Sequence, residues 1–116
     1  MESLFKVLGD MNRLRILNLV LRNELCVCEI EHILDMSQSN VSRHLSRLKL
    51  EKLICCRRKG QWIHYYADAQ FLENNLQLVS YLEENFKSDP VMKKDLQKYE
   101  RCKEIGIGCE SLAKEA

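Results

Sequence analysis

No stretch of this sequence approaches the roughly 18 consecutive apolar residues that a membrane span requires. The first ten residues, "MESLFKVLGD", carry neither a basic leader nor an apolar run of signal-peptide length. These two absences lead us to expect a cytoplasmic protein with no membrane partner. Net charge is also missing: 18 lysines and arginines against 17 aspartates and glutamates leave a formal charge of +1, so the overall balance identifies no partner. Proline occurs once, at Pro90, and there is no internal repeat or low-complexity segment. A chain of 116 residues builds one core and is too short for an enzyme with a separate cofactor domain.

What is present is unevenly distributed. Between Ser37 and Tyr66 the cations Arg43, Arg47, Lys49, Lys52, Arg57, Arg58 and Lys59 face a single anion, Glu51, a local excess of six. A near-neutral protein with one basic segment is the footprint of local contact with a polyanion. The six cysteines would suggest a disulfide framework in a secreted chain. In a reducing compartment a CxC pair such as Cys26 and Cys28, within "ELCVCE", reads instead as metal or redox ligands.

The order of elements follows from periodicity and caps. "ESLFKVLGD" and "MNRLRILNLVLR" predict two helices, with Asp10 the N-cap of the second and Leu14, Leu17 and Leu21 at helical spacing. A short helix over "CEIEHIL" turns Ile30, Ile33 and Leu34 inward. Ser37 then caps an amphipathic helix in which Val41, Leu45 and Leu48 share one face, while Ser39, Ser42, Arg43, Ser46 and Arg47 project from the other. Two short helices joined by about three residues make a helix-turn-helix. "LICCRRKGQWIHYYA" predicts a hairpin of strands near 54–57 and 62–66 around Gly60, a wing with a cationic tip.

After the wing, "FLENNLQLVSYLEENF" sets Leu72, Leu76, Val79, Leu82 and Phe86 on one stripe. That is more apolar surface than one small subunit covers, which predicts a homodimer. The chain therefore divides into a winged helix-turn-helix domain with terminal dimerisation helices, residues 1–88, and a helical or flexible tail, residues 89–116, carrying Cys102 and Cys109. The expected fold is mainly α with a β-hairpin wing, in the order α-α-α-α-β-β-α plus the tail.

From Leu4 to Tyr66 the segments "LFKVLGDMNRLRILNLV", "ELCVCEI", "SQSNVSRHLSRLKLEKLI" and "RRKGQWIHYY" resemble, in order, the ArsR/SmtB family of metal-responsive winged-helix repressors. "ELCVCE" is similar more narrowly to the arsenite and antimonite sensors and to the cadmium and lead sensors. The resemblance implies a homodimeric repressor, not an enzyme, that binds double-stranded operator DNA and leaves it when a soft metal ion binds. By position it assigns Ser37, Gln38, Ser39, Ser42 and Arg43 to the DNA-reading helix, with Arg47 on the same face, and Arg58, Lys59 and Gly60 to the wing tip. Arg43 suits guanine and Gln38 adenine, and Arg58 and Lys59 suit phosphate. It also assigns Cys26 and Cys28 to the inducer site, for As(III) or Sb(III), with Cd, Pb or Zn as alternatives.

One departure stands out. The arsenite-sensor pattern places a third cysteine three residues after the second, and here that position is Glu31. Cys102 or Cys109 is the expected third ligand, with Cys55 or Cys56 next and His32 as the candidate for a zinc or cadmium site. A thiol redox or persulfide sensor on the same fold remains open. Because side chains at i and i+2 of a helix diverge by about 200°, gripping one ion with Cys26 and Cys28 is expected to unwind the first helical turn.

Overall fold

The computed structural model describes residues 1–108 and Leu112. The elements run α1 (Glu2–Leu8), α2 (Met11–Val20), β1 (Leu25–Cys26), α3 (Val27–Leu34), α4 (Gln38–Leu50), β2 (Ile54–Lys59), β3 (Trp62–Ala67), α5 (Ala69–Asn74), α6 (Leu76–Ser88) and α7 (Pro90–Glu104). Asp10 caps α2 by accepting from the Arg13 N–H at 3.1 Å, and Ser37 caps α4 by accepting from the Asn40 N–H at 3.3 Å. Between α3 and α4 the chain turns through Asp35, whose φ of 54° lies in the left-handed region that a short polar side chain tolerates. Val41, Leu45 and Leu48 of α4 are fully buried against Ile16, Leu17 and Ile30 in the shared core. Each such side chain contributes about 1.5–3 kcal/mol through burial.

The hairpin forms as expected and runs longer, with Lys59 paired to Trp62 across the Gly60-Gln61 turn. Gly60 has a φ of 62°, which glycine adopts at no steric cost in the first position of a tight hairpin turn. The sheet has a third strand that the periodicity did not reveal. β1 adds to the outer edge of β3, giving the order β1-β3-β2 with Leu25 opposite Tyr65 and Cys26 opposite His64. The "LC" segment is thus a strand of the wing's own sheet.

The single helix expected over residues 71–86 is interrupted. At Asn75, with φ −135° and ψ 40°, the helix breaks, and its side-chain amide donates to the Phe71 carbonyl at 3.0 Å to close α5. Val79 and Phe86 of α6 turn into the core, whereas Leu76 is 69 % and Tyr81 66 % exposed.

After Pro90 the chain forms α7, which lies against α2 and α3. Arg15 grips Asp95 through two hydrogen bonds of 2.9 and 3.0 Å, and Asn18 donates to the Met92 carbonyl at 3.2 Å. Met92, Tyr99 and Cys102 join the core. α7 stops in a Schellman turn, in which Gly106 at φ 76° donates to Lys103 O at 3.2 Å and Ile107 donates to Cys102 O at 2.8 Å. That reversal sends the chain back over α3, and Ile107 packs on the core. Among the described residues no helix is long and apolar enough to cross a membrane.

Candidate inducer site and nucleic-acid interface

The two sulfurs of "ELCVCE" meet. Cys26 is the N-cap of α3 and has extended backbone angles, φ −90° and ψ 168°, because it still belongs to β1. Cys28 is the second residue of the helix proper. The change from strand to helix between them cancels the divergence expected of two helical residues, and their Sγ atoms lie 2.8 Å apart. The expected unwinding of the first turn is therefore not needed to bring the sulfurs together; the helix begins one residue too late for both to belong to it.

Cys26 and Glu29 form a capping box, in which the Glu29 carboxylate accepts from the Cys26 N–H at 2.9 Å and the sulfur takes the place of the usual hydroxyl. The C-x-x-E spacing was a readable signal for this cap. Burial, the leading cause, and then the Glu29 charge push the Cys28 thiol above its ordinary value. An ion bound there must displace that proton.

A cleft of about 370 Å³ opens beside the pair, lined by Cys26, Val27, Cys28, Glu31, Gln38, Gln61, Trp62 and Ile63. Its walls come from three places: the start of α3, the first residue of α4, and the wing. Glu31 sits here, and burial raises its carboxyl above the ordinary range. Cys102 and His32 are elsewhere. They line a separate space of about 10 Å³, no larger than a water, between α3 and α7 with Glu29, Tyr99 and Lys103. Gly108 comes near the carboxylate that caps Cys26, since a Cβ on it would lie 3.9 Å from Glu29 Oε2. Cys109 follows it in sequence and lies outside the described residues. Among the described residues no three His, Cys, Asp or Glu side chains stand in a metal-holding group.

Cys55 and Cys56 do not reach the pair. Cys55 donates to Asp68 Oδ2 at 2.9 Å, and Cys56 lies beside Lys49. Asp68, first among several causes, keeps the Cys55 thiol protonated above its ordinary value.

On the reading face, Gln38, Ser39, Arg43 and Arg47 are exposed and Ser42 is half-buried. Ser37 is also exposed, but its hydroxyl caps the helix, which leaves it less free for DNA. Arg43 Nη2 donates to Asn40 Oδ1 at 2.7 Å, which steadies the guanidinium one turn from the helix start. His44 is 4 % exposed, with Nδ1 3.3 Å from Arg13 Nη1. Arg13 Nε also donates to Val7 O at 2.6 Å, so one guanidinium joins the α1–α2 corner to α4. Burial is the main cause lowering the His44 pKa, with Asp10 acting the other way and Arg13 reinforcing burial.

In the wing, Arg58 is exposed, while Lys59 and Arg57 lie against Glu24, the residue before β1. Lys59 first and Arg57 second hold the Glu24 carboxyl below the usual carboxylate range. Arg57 also stacks 5.4 Å from the Tyr66 ring centroid. Sequence reading passed over Glu24 because nothing local announces a partner more than thirty residues away.

A helix-turn-helix with a cationic exposed face, flanked by a β-hairpin wing, is the architecture of the winged-helix regulators of transcription. Residues 10–54 match the model of the bacterial regulatory protein, arsR family. The arsenic resistance transcriptional regulator ArsR1 of Pseudomonas putida KT2440 is 48 % identical over 62 residues, which span 53 % of this chain and 48 % of that protein. The chain thus spans about half the length of that relative. The cadmium resistance transcriptional regulatory protein CadC of Listeria innocua is 34 % identical over 91 residues, spanning 76 % of this chain and 71 % of that one. A homodimeric winged helix-turn-helix DNA-binding domain from Mycobacterium bovis, solved in solution, superposes with a TM-score of 0.62 at 26 % identity, covering 72 % of this chain and 77 % of that one. This chain belongs to the ArsR family of transcriptional regulators.

Proposed function

We infer that this protein is a repressor that binds operator DNA as a homodimer and is released when trivalent arsenic or antimony binds Cys26 and Cys28. The contact of the two sulfurs at 2.8 Å, at the joint between a wing-sheet strand and α3, carries this reading. Soft ions favour thiolate sulfur, and two sulfurs held this close act as one chelate. The cleft beside them is bounded by Gln38 and by Trp62, so an occupant touches the reading helix and the wing together. Differential binding of about 1–3 kcal/mol then shifts operator affinity roughly 5 to 150-fold. α4 reads the major groove through Gln38, Ser39, Ser42, Arg43 and Arg47, while the wing meets phosphate through Arg58 and, as far as Glu24 releases it, Lys59. Exposed Leu76 and Tyr81 of α6 supply the apolar surface for the second subunit.

For the third sulfur, Cys109 fits better than Cys102. Cys102 faces the small space between α3 and α7, whereas the Schellman turn at Gly106 returns the chain to Glu29, the residue that caps Cys26. Cadmium is the second reading, favoured by the longer match to CadC.

Fluorescence anisotropy on the promoter upstream of the gene, with arsenite, antimonite, cadmium, lead and zinc added in turn, tests the proposal. The wild type should release DNA with arsenite or antimonite. Cys109→Ser should weaken release strongly and Cys102→Ser little. Release by hydrogen peroxide alone, with none of the ions effective, would establish a redox sensor instead.

A further inference from the structure

Three basic side chains converge on one carboxylate across the wing sheet. Glu24 Oε1 accepts from Arg57 Nη2 at 2.5 Å, and Oε2 lies 2.8 Å from Lys59 Nζ and 3.4 Å from His64 Nδ1. The convergence follows from register. Arg57 and Lys59 are two apart on β2 and so share a face, and Arg57 pairs with His64, which in turn pairs with Cys26 on β1. Glu24 closes the row from the residue before β1. Its side chain is 20 % exposed, so solvent screens these contacts only partly. Arg58 alternates to the other face and is left out of the cluster.

The wing's run Arg57-Arg58-Lys59 thus offers DNA fewer free charges than its sequence suggests. A guanidinium or ammonium held by a carboxylate must leave it, or share itself, to neutralise a phosphate. We propose that Glu24 is an internal competitor of the DNA backbone, holding Arg57 and Lys59 in place of phosphate and so setting the wing's grip on the operator. The device rests on the reading of the wing as a DNA contact. It ties the inducer element to the reading surface by charge, since Glu24 stands two residues before Cys26, at the entrance to β1.

The test is the salt dependence of operator binding, whose slope changes by about 0.9 for each phosphate neutralised on duplex DNA. Glu24→Gln should bind more tightly at moderate salt, with a log–log slope steeper by about 0.9 for each cation freed. Arg57→Gln in that background should reverse part of the gain. Two surface variants remain decisive should Glu24→Gln fold poorly. Arg58→Gln in the otherwise native protein should lower the slope by about 0.9, whereas Arg57→Gln should change it little, because Glu24 already occupies that charge. Equal slopes for Arg57→Gln and Arg58→Gln overturn the proposal. So does a folded Glu24→Gln protein whose affinity is unchanged or lower, which would make Glu24 a brace for the wing. If the wild type itself fails to bind the promoter, it is the repressor reading that falls, and the wild-type control separates the two outcomes.

Discussion

The chain holds two close cysteine pairs, and the pair farther apart in sequence is the one whose sulfurs touch. Cys55 and Cys56 are consecutive on a regular strand, and alternation gives them different partners, Asp68 for one and Lys49 for the other. Cys26 and Cys28 are separated by Val27, yet a change of backbone from extended to helical between them brings their sulfurs to 2.8 Å. Convergence is therefore a property of a joint between two kinds of secondary structure, and sequence spacing alone does not report it. A joint of this kind sits between a wing-sheet strand and the helix that supports α4, so a ligand on it acts on both.

The sharpest break in this comparison is functional. Cys26→Ser or Cys28→Ser should abolish arsenite-driven release, erasing a coupling of about 1–3 kcal/mol, while Cys55→Ser and Cys56→Ser should leave it intact. Operator titrations with and without arsenite measure all four. Next comes the anchor that docks α7 on α2. Asp95 is 4 % exposed and Arg15 is partly solvated, so Asp95→Ala should destabilise the fold by about 2 kcal/mol, below the 3–5 typical of a fully buried pair. Urea denaturation measures the loss, and release by arsenite should weaken with it.

A smaller effect probes the second pair. Asp68 caps α5 by accepting from the Phe71 N–H at 2.8 Å and also holds the Cys55 thiol. Asp68→Ala should cost about 1 kcal/mol through the lost cap. It should also speed alkylation of Cys55 near neutral pH by removing the main cause of its raised pKa.

The smallest expected effect lies away from both pairs. Burial lowers the His44 pKa below 6.5, so the unfolded chain takes up the proton first as pH falls. Stability is then full above about pH 6.5 and declines as pH drops from there toward the lower folded value. His44→Gln should remove that part of the decline, seen by comparing urea midpoints at pH 7.5 and 5.5.

Local signals were legible and distant ones were not. Asp10 and Ser37 announced their caps, Val41, Leu45 and Leu48 announced the buried face of α4, and Gly60 announced the hairpin, because each rests on residues within a turn or two. β1 is two residues long, too short for alternation to register. The break at Asn75 interrupts a stripe that reads as continuous at helical spacing. The docking of α7 depends on Arg15 and Asp95, eighty positions apart. At the site, the identity of Cys26 and Cys28 was readable, but their contact was not, since it depends on where the helix starts. Glu24 went unnoticed for the same reason as Asp95: its partners are far along the chain.

The capping box at the start of α3 has one more consequence. Cys26 occupies the position where helices most often place serine, and oxygen accepts from a backbone N–H at least as well as sulfur does. Exchanging that single atom leaves the helix start intact and removes half of the pair proposed to hold the ion. Responsiveness at this joint can therefore be gained or lost without refolding, so a lineage can turn a switch into a permanent lock, or back, with a one-atom change in one side chain.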